Sequence, residues 1–137
     1  MTIHFTVPGM PFGKQRPRHT KYGHDYTPKE TVAYEKLAEQ CFLTAVGCGF
    51  VPLQGALRIK IFAGYPIPKS TSKKQRALML ENKVLPTKKP DWDNVGKIIC
   101  DALNGVAYKD DAQITKSEVD KRYIDGPGMV EVWISNL

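Results

Sequence analysis

Apolar and polar positions alternate over residues 2–7, with Ile3, Phe5 and Val7 on one side and Thr2, His4 and Thr6 on the other. That is the two-residue period of a half-buried strand. Residues 55–63 repeat the pattern, with Leu57, Ile59, Ile61 and Ala63 opposing Arg58, Lys60 and Phe62. A third alternation over residues 129–135 sets Val130, Val132 and Ile134 against Glu131 and Trp133, while residues 114–123 read as an extended, partly exposed strand. Between the last two lies IDGPG, a strong turn signal, so they are expected to pair as an antiparallel hairpin.

The period changes to that of a helix after residue 26. Thr27 reads as an N-cap, Pro28 as the first helical residue and Glu30 as the third position of a capping box. Tyr34, Leu37, Ala38, Cys41, Phe42 and Ala45 then share one face until Gly47 and Gly49 end the helix. Ser70 can cap a short second helix carrying Lys73, Lys74 and Arg76, with Ala77, Leu78 and Leu80 available for packing. A third helix has Val95, Ile98, Ile99, Ala102 and Leu103 on its apolar face, a cap at Asp93 or Asn94, and an end at Asn104 and Gly105. Pro90 biases Lys89 toward an extended conformation, so the chain enters Asp91 as strand or loop. These elements predict an α/β (α+β) fold, a mixed β-sheet packed with helices in one small domain spanning residues 1–137.

Composition agrees with a single core. The chain has 137 residues, 42% of them hydrophobic, enough for one core and too few for two. Twenty Lys and Arg against fourteen Asp and Glu give a formal charge of +6, and the pI is near 9.2. Such a balance draws phosphate backbones, and also acidic proteins or membrane surfaces, so the placement of the charges has to decide. No basic region leads into a long apolar run at the start, and nowhere do eighteen apolar residues follow one another, so neither export nor a membrane span is indicated. Cys41, Cys48 and Cys100 are odd in number and form no CxxC pair, which excludes a conventional zinc site and predicts reduced, partly buried thiols of a cytoplasmic protein. Cys41, on a helical face, reads as a small core residue and not as a nucleophile.

The positive charge is clustered. Residues 12–26, FGKQRPRHTKYGHDY, have no apolar period and carry Lys14, Arg16, Arg18, His19, Lys21 and His24 beside Tyr22 and Tyr26. A charge run alone is usually a solvated loop; beside an acidic site it reads as a nucleic-acid contact, with cations meeting phosphates and tyrosines stacking on bases. Lys73, Lys74, Arg76, Lys83, Lys88 and Lys89 form a second basic tract. The acids concentrate in the segment that follows it, KPDWDNVGKIICDALNGVAYKDDAQ, which holds Asp91, Asp93, Asp101, Asp110 and Asp111 around Lys97. In an extended chain Asp91 and Asp93 point to one side and converge on a hard cation. Lys97 near the first helical turn leans toward the N-terminus and reaches a phosphate beside them. Asp111 returns to the same place after a short loop. Three carboxylates suit Mg²⁺ or Mn²⁺ better than zinc, and a metal-bound water with Lys97 nearby suits phosphodiester hydrolysis. Asp101, one turn beyond Lys97, is explained as well by an ordinary ion pair. Asp110 ranks below Asp111 because neighbours in an extended segment point opposite ways.

The ordered set Asp91-x-Asp93-Asn94, Lys97, Asp101-Ala102-Leu103 and Asp110-Asp111-x-Gln113 resembles the RusA family of Holliday-junction resolvases. The opening strand, the GKQRPR loop with its YTP helix start and the closing strands extend the resemblance over most of the chain. It implies a small α/β domain that forms a homodimer and makes paired, Mg²⁺-dependent nicks in four-way DNA junctions. By the same resemblance Asp91, Asp93 and Asp111 bind the metal and Lys97 is the essential lysine, matching the four residues reached from their chemistry. Pro90 departs from members with a basic residue before the first Asp, a place Lys88 or Lys89 can fill, and residues 69–88 look longer than in the shortest members.

The main expectation is therefore a homodimeric, structure-specific endodeoxyribonuclease, with Lys14, Arg16, Arg18, Lys21, Lys73, Lys74, Arg76, Lys88 and Lys89 contacting DNA. A non-catalytic branched-DNA binding module is a second reading, disfavoured because carboxylates without a cation would repel DNA. A metal nuclease preferring flaps or forks is a third.

Overall fold

Every inward-facing residue of the alternating segments is buried in the computed structural model, which describes residues 1–137. Strand β1 (Thr2–Pro8) buries Ile3, Phe5 and Val7. After a short ribbon of β2 (Arg18–His19) and β3 (Asp25–Tyr26), helix α1 spans Lys29–Val46. Strand β4 (Leu57–Pro66) leads to helices α2 (Lys73–Leu80) and α3 (Trp92–Leu103). A 3₁₀ turn at Asp111–Gln113 precedes β5 (Ile114–Ile124) and β6 (Met129–Asn136).

The four long strands form one mixed sheet in the order β1-β6-β4-β5, with β4 and β5 parallel and the other pairs antiparallel. The inner face joins Tyr34, Ala38 and Phe42 of α1 and the apolar stripe of α3 in a single core. Phe42 sits edge-on to Phe5 at 5.6 Å and to Phe50 at 5.3 Å. The other face is polar and open: His4 stacks on Trp133 at 4.9 Å and Lys60 lies over the same indole. Val95, Ile98, Ile99 and Leu103 are at most 1% exposed. At about 1.5–3 kcal/mol for burying each such side chain, α3 is the most firmly seated helix at the acidic end of the molecule.

The α+β class and the single small domain agree with the sequence, but one pairing does not. Strands β5 and β6 are antiparallel in direction and never touch as a hairpin, because β4 lies between them. The local turn at residues 125–128 reverses the chain, yet it also carries it over the end of β4. That crossing is tight: Gly128 has φ of 96°, and a Cβ there would meet the Met10 backbone at 3.0 Å and the Gly64 carbonyl at 3.1 Å. A turn signal specifies the reversal and says nothing about which edge the next strand takes.

Three caps also shift. Pro28 is still extended, at φ −55° and ψ 145°, so α1 starts at Lys29 without a side-chain cap and the Thr27 capping box does not form. The Thr31 hydroxyl donates to Gln15 Oε1 at 2.9 Å. Ser72, not Ser70, caps α2, its oxygen accepting from the Gln75 amide. Helix α3 is capped by Asp91 and begins at Trp92, ahead of the expected Asp93 or Asn94. On α1, Ala45 is exposed and Leu37 is 40% exposed; Cys48 is exposed as well, while Cys41 and Cys100 are half-buried, and all three thiols are free.

Candidate active site

Helix α3 carries most of the site because its apolar stripe faces the core while residues 93, 96, 97 and 100 recur along one flank, facing β5. Asp91 is extended, with φ −70° and ψ 155°, and its carbonyl accepts the first helical bond from Val95 at 3.0 Å. Asp93 therefore lies inside the first turn, and the expected strand-like alignment of Asp91 with Asp93 does not hold. Both acids still sit where the helix dipole favours negative charge.

Asp111 comes to the same flank through a built turn. Its amide donates to Asn104 Oδ1 at 2.9 Å. Gln113 accepts from the amides of Lys109 and Asp110 and donates to the carbonyls of Leu53 and Gly55, each at 3.1 Å, tying the turn to the body. Asp110 is spent on this turn, its carboxylate accepting from the Ala112 amide. That bond, then the one with Asp111, lowers the Asp110 pKa; burial, then Asp110, raises that of Asp111.

Asp93, Lys97 and Asp111 line one cleft of about 290 Å³ between α3 and β5, floored by Ile59 and Ile61. Asp91 stands outside it. Its carboxylate takes an ion pair from Lys89 at 2.9 Å, and the segment before it is held from below: Tyr65 donates to the Pro90 carbonyl at 2.7 Å and Lys121 to the Lys88 carbonyl at 2.8 Å. Burial, then the Asp91 charge, pushes the Tyr65 phenol up to about 12, so it stays a donor at neutral pH. Lys97 points differently from expectation. Its ammonium pairs with Asp101 at 3.1 Å, one turn toward the C-terminus. Asp101 is a half-buried carboxylate that also receives Lys14 at 3.1 Å.

The basic residues occupy two places. Lys14 and Arg16 line a second groove with Asn94, Lys97 and Asp101, on another flank of α3. The Lys14 amide donates to the Asn94 carbonyl at 3.0 Å, and Lys14 Nζ also pairs with Glu35. Arg18 lies in the β2–β3 ribbon, with Lys21 exposed at its tip over the Tyr22 ring. Lys73 and Lys74 project from α2, which buries no residue, while Arg76 pairs with Asp125. Lys88 lies over Tyr123 and Lys89 is engaged with Asp91.

The donors available to a metal are oxygens. Burial pushes the Cys100 thiol up to about 11, which keeps it protonated and out of any coordination sphere at neutral pH. Aspartate oxygens suit a hard divalent cation. No three His, Cys, Asp or Glu side chains are gathered as a ready-made metal group; two carboxylates share the cleft and Asp91 stands apart. Sequence reasoning passed over Trp92, Asn104, Tyr65 and Lys121. The tryptophan between two aspartates was a visible signal, whereas the Lys121 support depends on parallel pairing with β4, which no local pattern encodes.

A mixed sheet that sets acids and one lysine along a helix flank, beside a groove lined by Lys14 and Arg16, defines a small α+β protein. The family model for endodeoxyribonuclease RusA matches residues 8–135, and the chain belongs to that family. It is also 34% identical over 142 residues to the uncharacterized protein YqaN of Bacillus subtilis (strain 168), covering 98% of this chain and 96% of that one. No helix is long and apolar enough to cross a membrane.

Proposed function

We propose that the protein is a Holliday-junction resolvase, a homodimeric endodeoxyribonuclease that makes paired, Mg²⁺-dependent nicks in four-way DNA and takes part in recombination and repair. The observation that carries this is the cleft itself: Asp93 and Lys97 of α3 meet Asp111 from a separate turn there, in a chain of the RusA family. Asp93 and Asp111 would hold the metal within the cleft, and Asp91, now paired with Lys89, would be the third carboxylate of the set. Mn²⁺ is a substitute with the same preference for oxygen. The bound cation supplies an activated water and charge neutralisation at the phosphodiester.

The chain's own residues do the rest. Lys97, freed from Asp101 by a competing phosphate, stabilises the negative charge that builds up during hydrolysis. Lys14, Arg16 and Arg18 hold the backbone on one side, and Lys21, Lys73, Lys74, Arg76, Lys88 and Lys89 extend the positive field. A two-fold dimer presents two equivalent sites to the two opposed strands of a symmetric junction. The test is a synthetic four-way junction with Mg²⁺ or Mn²⁺. Wild-type protein cuts two opposed strands, and Asp93→Asn binds the junction but leaves it intact. An uncut junction with wild type, or equal cutting by the variant, removes the assignment.

A further inference from the structure

The cleft that holds Asp93, Lys97 and Asp111 is lined on its other sides by apolar side chains, an apolar recess that the carboxylate chemistry does not use. Its floor is Ile59, Ile61 and Val119, and its mouth carries the Trp92 indole. Trp92 is 64% exposed, beside the acids at the start of α3. A large ring left in water at the rim of an apolar recess is placed to cover a flat apolar ligand.

Gly96 marks the wall of this recess. A glycine in mid-helix is less stable than alanine. Packing within the protein does not demand it, since a Cβ at that position would lie 3.5 Å from Val119 Cγ2, in ordinary contact. What the missing side chain provides is space in the cleft.

We propose that this recess receives one unpaired nucleobase from the branch point of the DNA, with Trp92 stacking on it and Gly96 leaving room for its edge. The inference rests on the branched-DNA reading and deepens it. Size is compatible with this occupant: the whole cleft, acids included, is about 290 Å³, just below the range of about 300–1,000 Å³ typical of small-ligand sites. Charge favours it too. Lys97 lines both this cleft and the groove of Lys14 and Arg16 on another flank of the same helix, so phosphates attached to a base in the apolar space have cations within the same surface. A base held here beside the acidic rim ties cutting to DNA whose pairing is already broken, because a base in intact duplex would first have to be unstacked.

The test uses synthetic four-way junctions in which each nucleotide next to the branch is replaced in turn by an abasic one, with binding measured in EDTA and cleavage in Mg²⁺. For wild type, one abasic position weakens binding about tenfold. Trp92→Ala and Gly96→Ala reduce that penalty below about threefold, and Gly96→Ala at the same time raises the melting temperature, which separates loss of the recess from loss of the fold. The proposal is overturned if wild type binds every abasic junction as tightly as the intact one, or if both variants keep the full penalty. It is also overturned if Trp92→Ala turns a dimer into a monomer by sedimentation, since the recess then belongs to the contact between copies. An abasic penalty without Mg²⁺-dependent cutting by wild type sinks the nuclease reading and leaves the base site standing; cutting with no abasic effect does the reverse.

Discussion

The two basic tracts look alike in sequence and differ in attachment. Residues 12–18 are fastened to α3: Gly13 packs on Pro90 and Asn94, the Lys14 amide is bonded to the Asn94 carbonyl, and the Lys14 ammonium bridges Glu35 and Asp101. The α2 arm leans on β5 with no buried residue, and its ion pair to a distant part of the sequence is Arg76 with Asp125. A cation locked to the helix that bears the acids shares their geometry, whereas a cation on a loosely seated arm adds field without position. Under the proposed function residues 12–18 therefore belong to the site, and the α2 arm to the surface potential.

The sharpest way to break this contrast is Gly13→Ala. A Cβ at residue 13 would stand 2.7 Å from Pro90 Cβ and 3.2 Å from Asn94 Cβ, so the loop or the residues flanking Asp91 must move. Displacements of about 1 Å near reacting groups cost up to about 100-fold in rate. Single-turnover cleavage of a four-way junction is expected to fall by about 10- to 100-fold, with a smaller change in metal-free binding. An unchanged rate would mean that the loop is not coupled to the acids.

Lys14→Met probes the same tract through stability. It leaves Glu35 and Asp101, both partly buried, without their shared cation, at a cost of about 1–3 kcal/mol readable by thermal or urea unfolding. Burial alone would lower the Lys14 pKa, but the bonds to Glu35 and Asp101 and their charges outweigh it, and the net direction is upward from 10.5. The sign follows: a raised pKa contributes stability that is whole below pH 10.5 and is lost as pH climbs through the folded value. Wild type should lose this increment above pH 10.5, and Lys14→Met should not. Equal alkaline losses in both would place the stabilising contact elsewhere.

How much of this was legible follows the range of the interaction. The buried faces of β1, β4 and β6 and the stripe of α3 were readable because period and burial are local properties of Ile, Val and Leu placement. The cluster of Asp93, Lys97 and Asp111 was readable because helix spacing and one short return fix it. Missed were the features set by distant partners. Residue order cannot show β4 lying between β5 and β6, and Lys121 reaches the Lys88 carbonyl only through that order. Lys97 was expected to lean toward the N-terminus, but a half-buried Asp101 one turn on, fed also by Lys14, holds it the other way. Asp91 and Asp93 were grouped by the family resemblance and by strand spacing, and the early start of α3 replaces only the strand-like alignment.

The mildest effect belongs to the arm. Lys73 and Lys74 lie exposed on α2, so replacing both with alanine removes two cations without disturbing a packed contact. If each meets one phosphate, the slope of log affinity against log salt should flatten by about 2, because each neutralised phosphate contributes about 0.9 on duplex DNA. The loss should be uniform over junctions of different sequence, and the cleavage rate of bound substrate should not change, since both residues are exposed on a helix that buries no residue. A salt slope equal to wild type would mean the arm points away from DNA. A fall in the rate of bound substrate would mean instead that the arm is ordered on the substrate and fixes position as residues 12–18 do, and the distinction between the two tracts would then be a property of the free protein alone.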